Sequence, residues 1–162
     1  MTESLIESIE INKSKKGITV LDVPSNKFVN TLALFFKEKN VIKLPEWSPI
    51  VKCSHANEIV PLSNDYLYIK AAAIARILYV TKKKSLGVGS LRSFFGKKKR
   101  RGVQPPKAMK AGGRCIREIV KQLKENGYVE NYSNPEQITY GLVLTKTGRT
   151  ELDKIASKCM KQ

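Results

Sequence analysis

The chain has 162 residues, of which 30 are lysine or arginine and 14 are aspartate or glutamate, giving a formal net charge of +16. This length suits one domain with tails and can bury a hydrophobic core without disulfides. Three widely spaced cysteines and one histidine argue against a disulfide framework or a zinc site, and for a reducing compartment. We expect no signal peptide, because the N-terminus is acidic and lacks an apolar stretch.

The positive charge is concentrated in one segment. Between Lys82 and Lys124 there are fifteen bases and one acid, Glu118, whereas the remainder carries fifteen bases and thirteen acids. Such a segment repels itself unless an anion neutralises it, so nucleic acid is the expected partner. An anionic membrane is the second possibility, but we find no lipidation motif and no basic amphipathic helix with an aromatic face.

The N-terminal residues 1–17 are predicted to be an extension, either a mobile tail or a segment that docks on a partner. Residues 18–162 are expected to form a single domain, which starts with a short extended piece over 18–21. A helix is predicted from Pro24 to about Lys39, with Asn40 as its stop. Its apolar face consists of Phe28, Leu32, Phe35 and Phe36.

Two prolines frame Trp47, the single tryptophan. We expect a short helix over 47–53 and packing of Trp47 against the central helix of the domain; stacking on a nucleic-acid base is the alternative. Residues 55–63 are predicted to be a loop, with His55 on the surface.

The central helix is predicted over 64–80, with Asn64 or Asp65 as its N-cap. It is apolar on almost all sides, which is typical of a helix buried in the middle of a domain. Its four alanines allow neighbouring helices to approach closely. Arg76 on this helix fits either a structural ion pair or a contact with phosphate.

The glycine pair over 87–90 lacks the rest of a nucleotide-binding motif, so we reject a nucleotide site. We expect a short helix over 90–95, where backbone amides meet an RNA phosphate. Residues 96–113 form a basic loop that we expect to be disordered in the free chain. A nuclear localisation signal is another interpretation of this loop.

The C-terminal part is predicted to contain a helix over 114–126 closed by Gly127, a β-hairpin over 128–144 with its turn at 133–137, and a last helix over 148–160. The first of these helices has an apolar inner stripe and a basic outer face. Helix, hairpin and helix in this order suggest a winged helix-turn-helix. The predicted class is therefore mainly α, built around a central buried helix, winged-helix-like with one β-hairpin.

We find no catalytic motif. The nucleophile elbow, the zinc-protease helix and a closely spaced carboxylate pair in an apolar setting are all absent from the sequence. The basic segment contains Glu118 as its single acid, whereas a metal-dependent nuclease needs clustered acids. We therefore expect no enzyme, no metal, no cofactor and no small-molecule substrate.

Five stretches together resemble one family, the small-subunit ribosomal protein number nineteen of eukaryotes and archaea, which is unrelated to the bacterial protein of that number. They are 44–47 (Leu-Pro-Glu-Trp), 68–79 (Tyr-x-x-Ala-Ala-x-x-Ala-Arg-x-Leu-Tyr), 87–90 (Gly-Val-Gly-Ser), 102–105 (Gly-Val-x-Pro) and 144–156 (Leu-Thr-x-x-Gly-x-x-x-Leu-Asp-x-Ile-Ala). The resemblance spans residues 18–160 and leaves 1–17 without a counterpart.

This resemblance implies a structural protein of the small-subunit head that binds ribosomal RNA, contacts neighbouring ribosomal proteins and is needed for pre-ribosomal RNA processing and subunit maturation. It implies a cytoplasmic ribosomal location with nuclear and nucleolar passage during assembly. It also places Arg76 on a functional basic surface. Lys70 and Lys110 stand where the family has arginine, which keeps the charge but loses bidentate phosphate geometry.

The RNA contacts are expected to be phosphate contacts that recognise shape more than base edges. The residues predicted to bind RNA are Lys70, Arg76, Lys82, Lys83, Lys84, Ser90, Arg92, Lys97, Lys98, Lys99, Arg100, Arg101, Lys107, Lys110, Arg114, Arg117 and Lys121. The alternative function is a winged-helix DNA-binding transcription regulator, and a purely protein-binding adaptor is a third class.

Overall fold

The structure, a computed structural model, describes residues 17–81, 85–133 and 140–161. Residues 1–16 of the predicted N-terminal extension, most of the turn predicted at 133–137, and Lys82, Lys83 and Lys84 lie outside the described residues.

Two helices dominate the N-terminal half. Helix α1, Ser25–Glu38, buries Phe28, Leu32 and Phe36 and packs on α2, Tyr66–Val80. Both helices were predicted, and the chain leaves α1 through Asn40, whose φ of 50° lies in the left-handed region that asparagine tolerates.

Asp65 occupies the N-cap position of α2, as predicted, but its side chain makes no capping hydrogen bond. Its carboxylate lies 3.0 Å from the Lys37 ammonium and forms an ion pair between the start of α2 and the end of α1. Both side chains are about half exposed, so this ion pair contributes little stability.

Helix α2 is the centre of the hydrophobic core. It contacts α1, α4 and β4, and its alanines let those elements approach closely. Its buried residues are Leu67, Tyr68, Ala71, Ala72, Ile74, Ala75 and Leu78. Ile69 and Val80 are 41% and 38% exposed, so the predicted burial holds for most of the helix circumference but not for all of it.

The C-terminal half contains α3 (Val88–Phe94), α4 (Gly113–Glu125), β3 (Val129–Ser133), β4 (Tyr140–Leu144) and α5 (Lys146–Lys161). Strands β3 and β4 are antiparallel, and Leu86 adds an isolated antiparallel bridge to Leu142. Gly127 ends α4 with a φ of 72°, as predicted. The mainly α, winged-helix-like class is confirmed.

The predicted apolar faces of α4 and α5 are also buried. On α4 these residues are Ile116, Ile119, Val120 and Leu123, and on α5 they are Leu152, Ile155, Ala156 and Cys159. Helix α4 additionally buries Cys115 and the polar Gln122.

The segment predicted as a basic loop without regular structure is a second β-hairpin. Strand β1, Lys97–Arg101, pairs antiparallel with β2, Gln104–Met109. Gly102 forms the turn with a φ of 67°. Pro105 and Pro106 lie where the register shifts between Lys99 and Arg101, and such an irregularity tolerates their missing N–H groups.

Two shorter predictions were wrong. In place of the extended piece over 18–21 there is a turn over 19–22, because the Asp22 carboxylate accepts hydrogen bonds from the Thr19 N–H and hydroxyl, both at 2.8 Å. These bonds lower the pKa of Asp22. The helix predicted over 47–53 is a series of turns between Pro45 and Val51.

Among the helices that the structure describes, none is both long and apolar enough to cross a membrane.

Candidate nucleic-acid interface

The β1–β2 hairpin carries a dense group of exposed bases. Lys97, Lys98, Arg100 and Arg101 are exposed, and Lys99 is half-buried. Lys107 on β2 is also exposed and is the cross-strand partner of Lys99. Like charges directly opposite each other destabilise a strand pair, so this hairpin holds positive charge at a cost to its own stability.

A second group of bases lies where α3 meets the start of α4. The Arg92 Nε donates a hydrogen bond to the Ala111 carbonyl oxygen at 3.0 Å, and the Ala111 N–H donates to the Arg92 carbonyl oxygen at 2.9 Å. Gly113, the first residue of α4, contacts the side chains of both Arg92 and Arg117. The structure therefore brings Arg92 and Arg117 together although they are 25 positions apart in the sequence.

The hairpin is anchored at this junction, since β1 begins three residues after α3 ends and β2 ends four residues before α4 begins. Gly96 lies against the Met109 carbonyl oxygen, where a Cβ atom would approach it to 2.8 Å. Lys110 follows β2 and is exposed.

The outer face of α4 extends the basic region. Arg114, Arg117 and Lys121 are exposed. The Arg114 guanidinium lies 4.7 Å from the centre of the Trp47 ring, which is a cation–π distance. Trp47 is half-buried and is neither in the hydrophobic core cluster nor among the partly buried side chains packed against that cluster, so the prediction that it packs against the central helix was wrong.

Lys70 and Arg76 come from α2. The Lys70 ammonium lies 5.5 Å from the centre of the Phe95 ring, next to the end of α3, so it reaches the same junction. The Arg76 Nε is buried without a hydrogen-bond partner in the described residues. No ion pair of Arg76 occurs there either, so the ion-pair interpretation has no support in that part of the chain.

Ser90 is exposed but does not begin its helix. Helix α3 begins at Val88, with Gly87 at the N-cap position, so Ser90 lies in the first turn. The prediction placed this helix start two residues too late.

Acids barely neutralise these bases. Among the described residues the ion pairs are Lys37–Asp65 and Lys121–Glu125, and the latter is exposed with a separation of 3.9 Å. We use the name basic surface for three groups of predicted bases. They are Lys97, Lys98, Lys99, Arg100, Arg101 and Lys107 on the hairpin, Arg92 and Lys110 at the α3–α4 junction, and Arg114, Arg117 and Lys121 on the outer face of α4. Its positive charge remains free to meet an anion.

Sequence reasoning missed Phe94. This ring is 67% exposed at the end of α3, beside the hairpin, and packs edge-on against Phe95 at a centroid distance of 5.4 Å. An exposed aromatic ring among bases is a feature of surfaces that stack unpaired nucleic-acid bases. The sequence signal was present, since two phenylalanines directly precede the basic run.

His55 is exposed, as predicted, with its ring Nδ1 3.2 Å from the Lys99 ammonium. No group of three or more metal-ligating side chains occurs among the residues that the structure describes.

The fold and the surface together define a class, a winged-helix-like protein with a broad, largely uncompensated basic face. The model of the ribosomal protein S19e family matches residues 19–162. The chain is 39% identical over 143 residues to small ribosomal subunit protein eS19G of Ascaris suum, covering 88% of this chain and 93% of the relative.

Two further relatives are also small ribosomal subunit proteins named eS19. Small ribosomal subunit protein eS19 of Argopecten irradians is 37% identical over 142 residues, with 88% of this chain and 94% of the relative covered. The protein of the same name from Emericella nidulans is 36% identical over 140 residues, with 86% and 90% covered. The chain belongs to the ribosomal protein S19e family, a structural and non-enzymatic component of the small ribosomal subunit.

Proposed function

We propose that the protein binds small-subunit ribosomal RNA in the subunit head through the basic surface, Lys70, Arg76 and Ser90, with Lys82, Lys83 and Lys84 contributing from outside the described residues. It is needed for pre-ribosomal RNA processing and subunit maturation, and it passes through the nucleolus during assembly. Residues 1–17 are an extension beside a single domain over 18–162.

The observation that carries this proposal is the ordered hairpin with its uncompensated bases. Five consecutive basic residues occupy β1, and Lys107 faces Lys99 from β2. The repulsion in such a strand pair falls when phosphates lie between the lysines. A polyanion therefore favours the hairpin conformation that presents these side chains.

Arg76 supports the same function. Arg76 is half-buried, so part of its side chain remains open to an acceptor from outside the chain, while its Nε is enclosed without a partner in the described residues. A phosphate oxygen is such an acceptor, and the guanidinium fork matches phosphate geometry.

Phe94 adds a contact of another kind. Its exposed ring offers a flat surface on which an unpaired RNA base stacks, next to the lysines that hold the backbone. This combination suits irregular ribosomal RNA, where loops and bulges present unstacked bases.

We assign the protein neighbours in the subunit head to exposed aliphatic side chains. Ile50, Ile59 and Leu62 are 76%, 68% and 94% exposed on the irregular segment between α1 and α2. Exposed aliphatic side chains favour protein contacts over phosphate contacts.

The RNA proposal is tested by the salt dependence of binding. We expect log affinity for small-subunit ribosomal RNA to fall linearly with log salt, and Lys98→Ala and Arg100→Ala each to reduce the slope by about 1. Lys27→Ala, which removes an exposed base from α1, is the matched control and leaves the slope unchanged. Equal slopes for all three variants would contradict the role of the hairpin.

Arg76→Glu tests assembly in cells. We expect the variant to fold but to be absent from small subunits in sucrose gradients, and pre-ribosomal RNA to accumulate. Lys27→Glu is the charge-matched control, and Arg76→Gln separates loss of the guanidinium from the burial of a new negative charge. Normal sedimentation of folded Arg76→Glu with small subunits would refute the proposal, as would dimeric binding to paired DNA sites, the behaviour of a transcription regulator.

A further inference from the structure

Cys53 and Cys115 are brought together by backbone contacts between distant parts of the chain. The Gly112 N–H donates a hydrogen bond to the Cys53 carbonyl oxygen at 2.8 Å. The next residue, Ser54, forms an antiparallel bridge with Ala111. The segment that contains Cys53 therefore lies directly alongside the residues that lead into α4.

Glycine is required for this approach. A Cβ atom at Gly112 would lie 2.8 Å from the Cys53 carbonyl oxygen, which is closer than side chains tolerate. Three residues further on, Cys115 lies in the first turn of α4 and is 1% exposed.

The two thiols influence each other. The side chain of each cysteine is the largest cause of the other's pKa shift, and Tyr66 also acts on Cys115, as expected of neighbouring side chains. Cys159, the third cysteine, is buried on α5. The chain thus holds one thiol pair and one separate thiol.

One sulfur of the pair faces an open cavity. Cys53 is partly exposed and lines a cavity of about 630 Å³ whose wall includes Lys97, Lys98 and Arg100. A small neutral oxidant can enter this cavity, whereas Cys115 is buried and does not line it.

We propose that Cys53 and Cys115 form a redox site, which hydrogen peroxide oxidises to an intramolecular disulfide and which cellular thiols reduce again. The Cys53 thiolate attacks a peroxide oxygen, the O–O bond breaks, and the released hydroxide takes a proton to leave as water. The sulfur of Cys115 then attacks the sulfenic acid of Cys53. The S–S bond forms, the S–O bond breaks, and a second water leaves with the proton of Cys115.

The pair carries one proton at neutral pH. The Cys53 side chain lowers the pKa of Cys115 to about 6, and the Lys70 ammonium acts in the same direction, while the Cys115 side chain raises the pKa of Cys53. The proton therefore lies mainly on Cys53. Its transfer to Cys115 makes the sulfur that faces the cavity the nucleophilic thiolate, and this transfer precedes the attack on the peroxide.

The disulfide would join the irregular segment between α1 and α2 to the start of α4, close to the point where the basic hairpin ends. It would close a long loop, and such cross-links restrict the unfolded chain. A reversible disulfide of this kind is compatible with a reducing compartment, where disulfides are usually transient and redox-sensing.

The experiment treats the purified full-length protein with hydrogen peroxide, then denatures and alkylates it. We expect the monomer mass to fall by two hydrogen atoms, one alkylated cysteine to remain, and a Cys53–Cys115 cross-linked peptide after digestion. The oxidised protein melts at a higher temperature, and dithiothreitol reverses both changes. Three alkylated cysteines after peroxide exposure, or cross-links through Cys159, would overturn the proposal.

Variants test the order of the steps. Cys115→Ser leaves Cys53 without its partner, so its sulfenic acid is trapped by dimedone. Cys159→Ser is the matched control and still forms the disulfide. If Cys115→Ser does not fold, Cys53→Ser provides the test at the partly exposed position and leaves both remaining thiols unlinked; a disulfide in that variant would contradict the proposal.

Discussion

The side-chain amide of Gln122 is hydrogen-bonded to both backbone groups of Lys43. Its Nε2 donates to the Lys43 carbonyl oxygen at 3.0 Å, and the Lys43 N–H donates to its Oε1 at 2.8 Å. Asn126, one turn later, donates to the Val41 carbonyl oxygen at 2.9 Å. Helix α4 therefore holds the chain that leaves α1, and it joins the two halves of the fold.

Gln122→Leu removes this pair of bonds and leaves two backbone groups of Lys43 without partners at a site where the side chain is 8% exposed. We expect a loss of about 1–3 kcal/mol for each group that stays buried, less where water enters. Urea unfolding measures the change. Gln104→Leu, the same substitution at an exposed position of β2, is the control and should change stability by no more than about 0.5 kcal/mol. Equal stability of the two variants would contradict the role of Gln122.

Leu78→Ala tests the central position of α2. Leu78 is 8% exposed, so truncation leaves a cavity and should cost about 2–5 kcal/mol in urea melts. Leu62→Ala removes the same atoms from a side chain that is 94% exposed and serves as the control. A loss below about 1 kcal/mol for Leu78→Ala would show that α2 does not carry the core.

The sequence predicted accurately the features that depend on one helix alone, namely its apolar face and its end. The apolar faces of α1, α4 and α5 follow helical spacing, and the left-handed residues Asn40 and Gly127 mark two helix ends. These features depend on neighbours three or four positions away, which the sequence shows directly.

The basic hairpin was missed because its sequence lacks the usual strand signals. Strand β1 is a run of lysine and arginine, and β2 contains Pro105 and Pro106. The position of Gln122 was missed for another reason, since its partner Lys43 is 79 residues away. The same holds for Cys53 and Cys115, which look isolated in the sequence and are neighbours only through the contact of Gly112 with Cys53.

Lys107→Glu tests whether cross-strand repulsion limits the hairpin. The new carboxylate faces Lys99, so the pair becomes attractive and the hairpin should gain about 0.2–1 kcal/mol, while affinity for RNA falls. Hydrogen exchange of the hairpin amides measures the gain. Lys98→Glu makes the same change of charge opposite Ala108, and it should weaken RNA binding without comparable protection of the hairpin. Similar protection in the two variants would mean that net charge, and not the Lys99–Lys107 pair, governs the hairpin.

Tyr79 makes the folding stability of the protein depend on pH in the alkaline range. Its hydroxyl donates a 2.7 Å hydrogen bond to the Asp153 carboxylate, which links α2 to α5. Burial first, and then this bond, raise the pKa of Tyr79 to about 12. Tyrosine in an unfolded chain titrates near 10, so the folded state holds the proton more tightly, and the contribution is complete below pH 10 and lost as the pH rises toward 12.

We therefore expect Tyr79→Phe to be less stable than the parent at neutral pH and to lose less stability than the parent between pH 10 and pH 12. Thermal melts across that range provide the measurement. Tyr132→Phe removes a phenol from β3 and is the control. If the parent and Tyr79→Phe lost the same amount of stability between pH 10 and pH 12, the proton of Tyr79 would not contribute to the stability of the fold.

The facing lysines at positions 99 and 107 also make the stability of the chain depend on the amount of its proposed RNA partner. In the proposed RNA complex a phosphate between them turns a repulsion into two attractions, so each bound molecule is stabilised by mass action. The proposal then predicts that copies synthesised in excess of the RNA keep the repulsion, open more often and are degraded first. Turnover of the surplus chains would help to set the stoichiometry of the assembled particle.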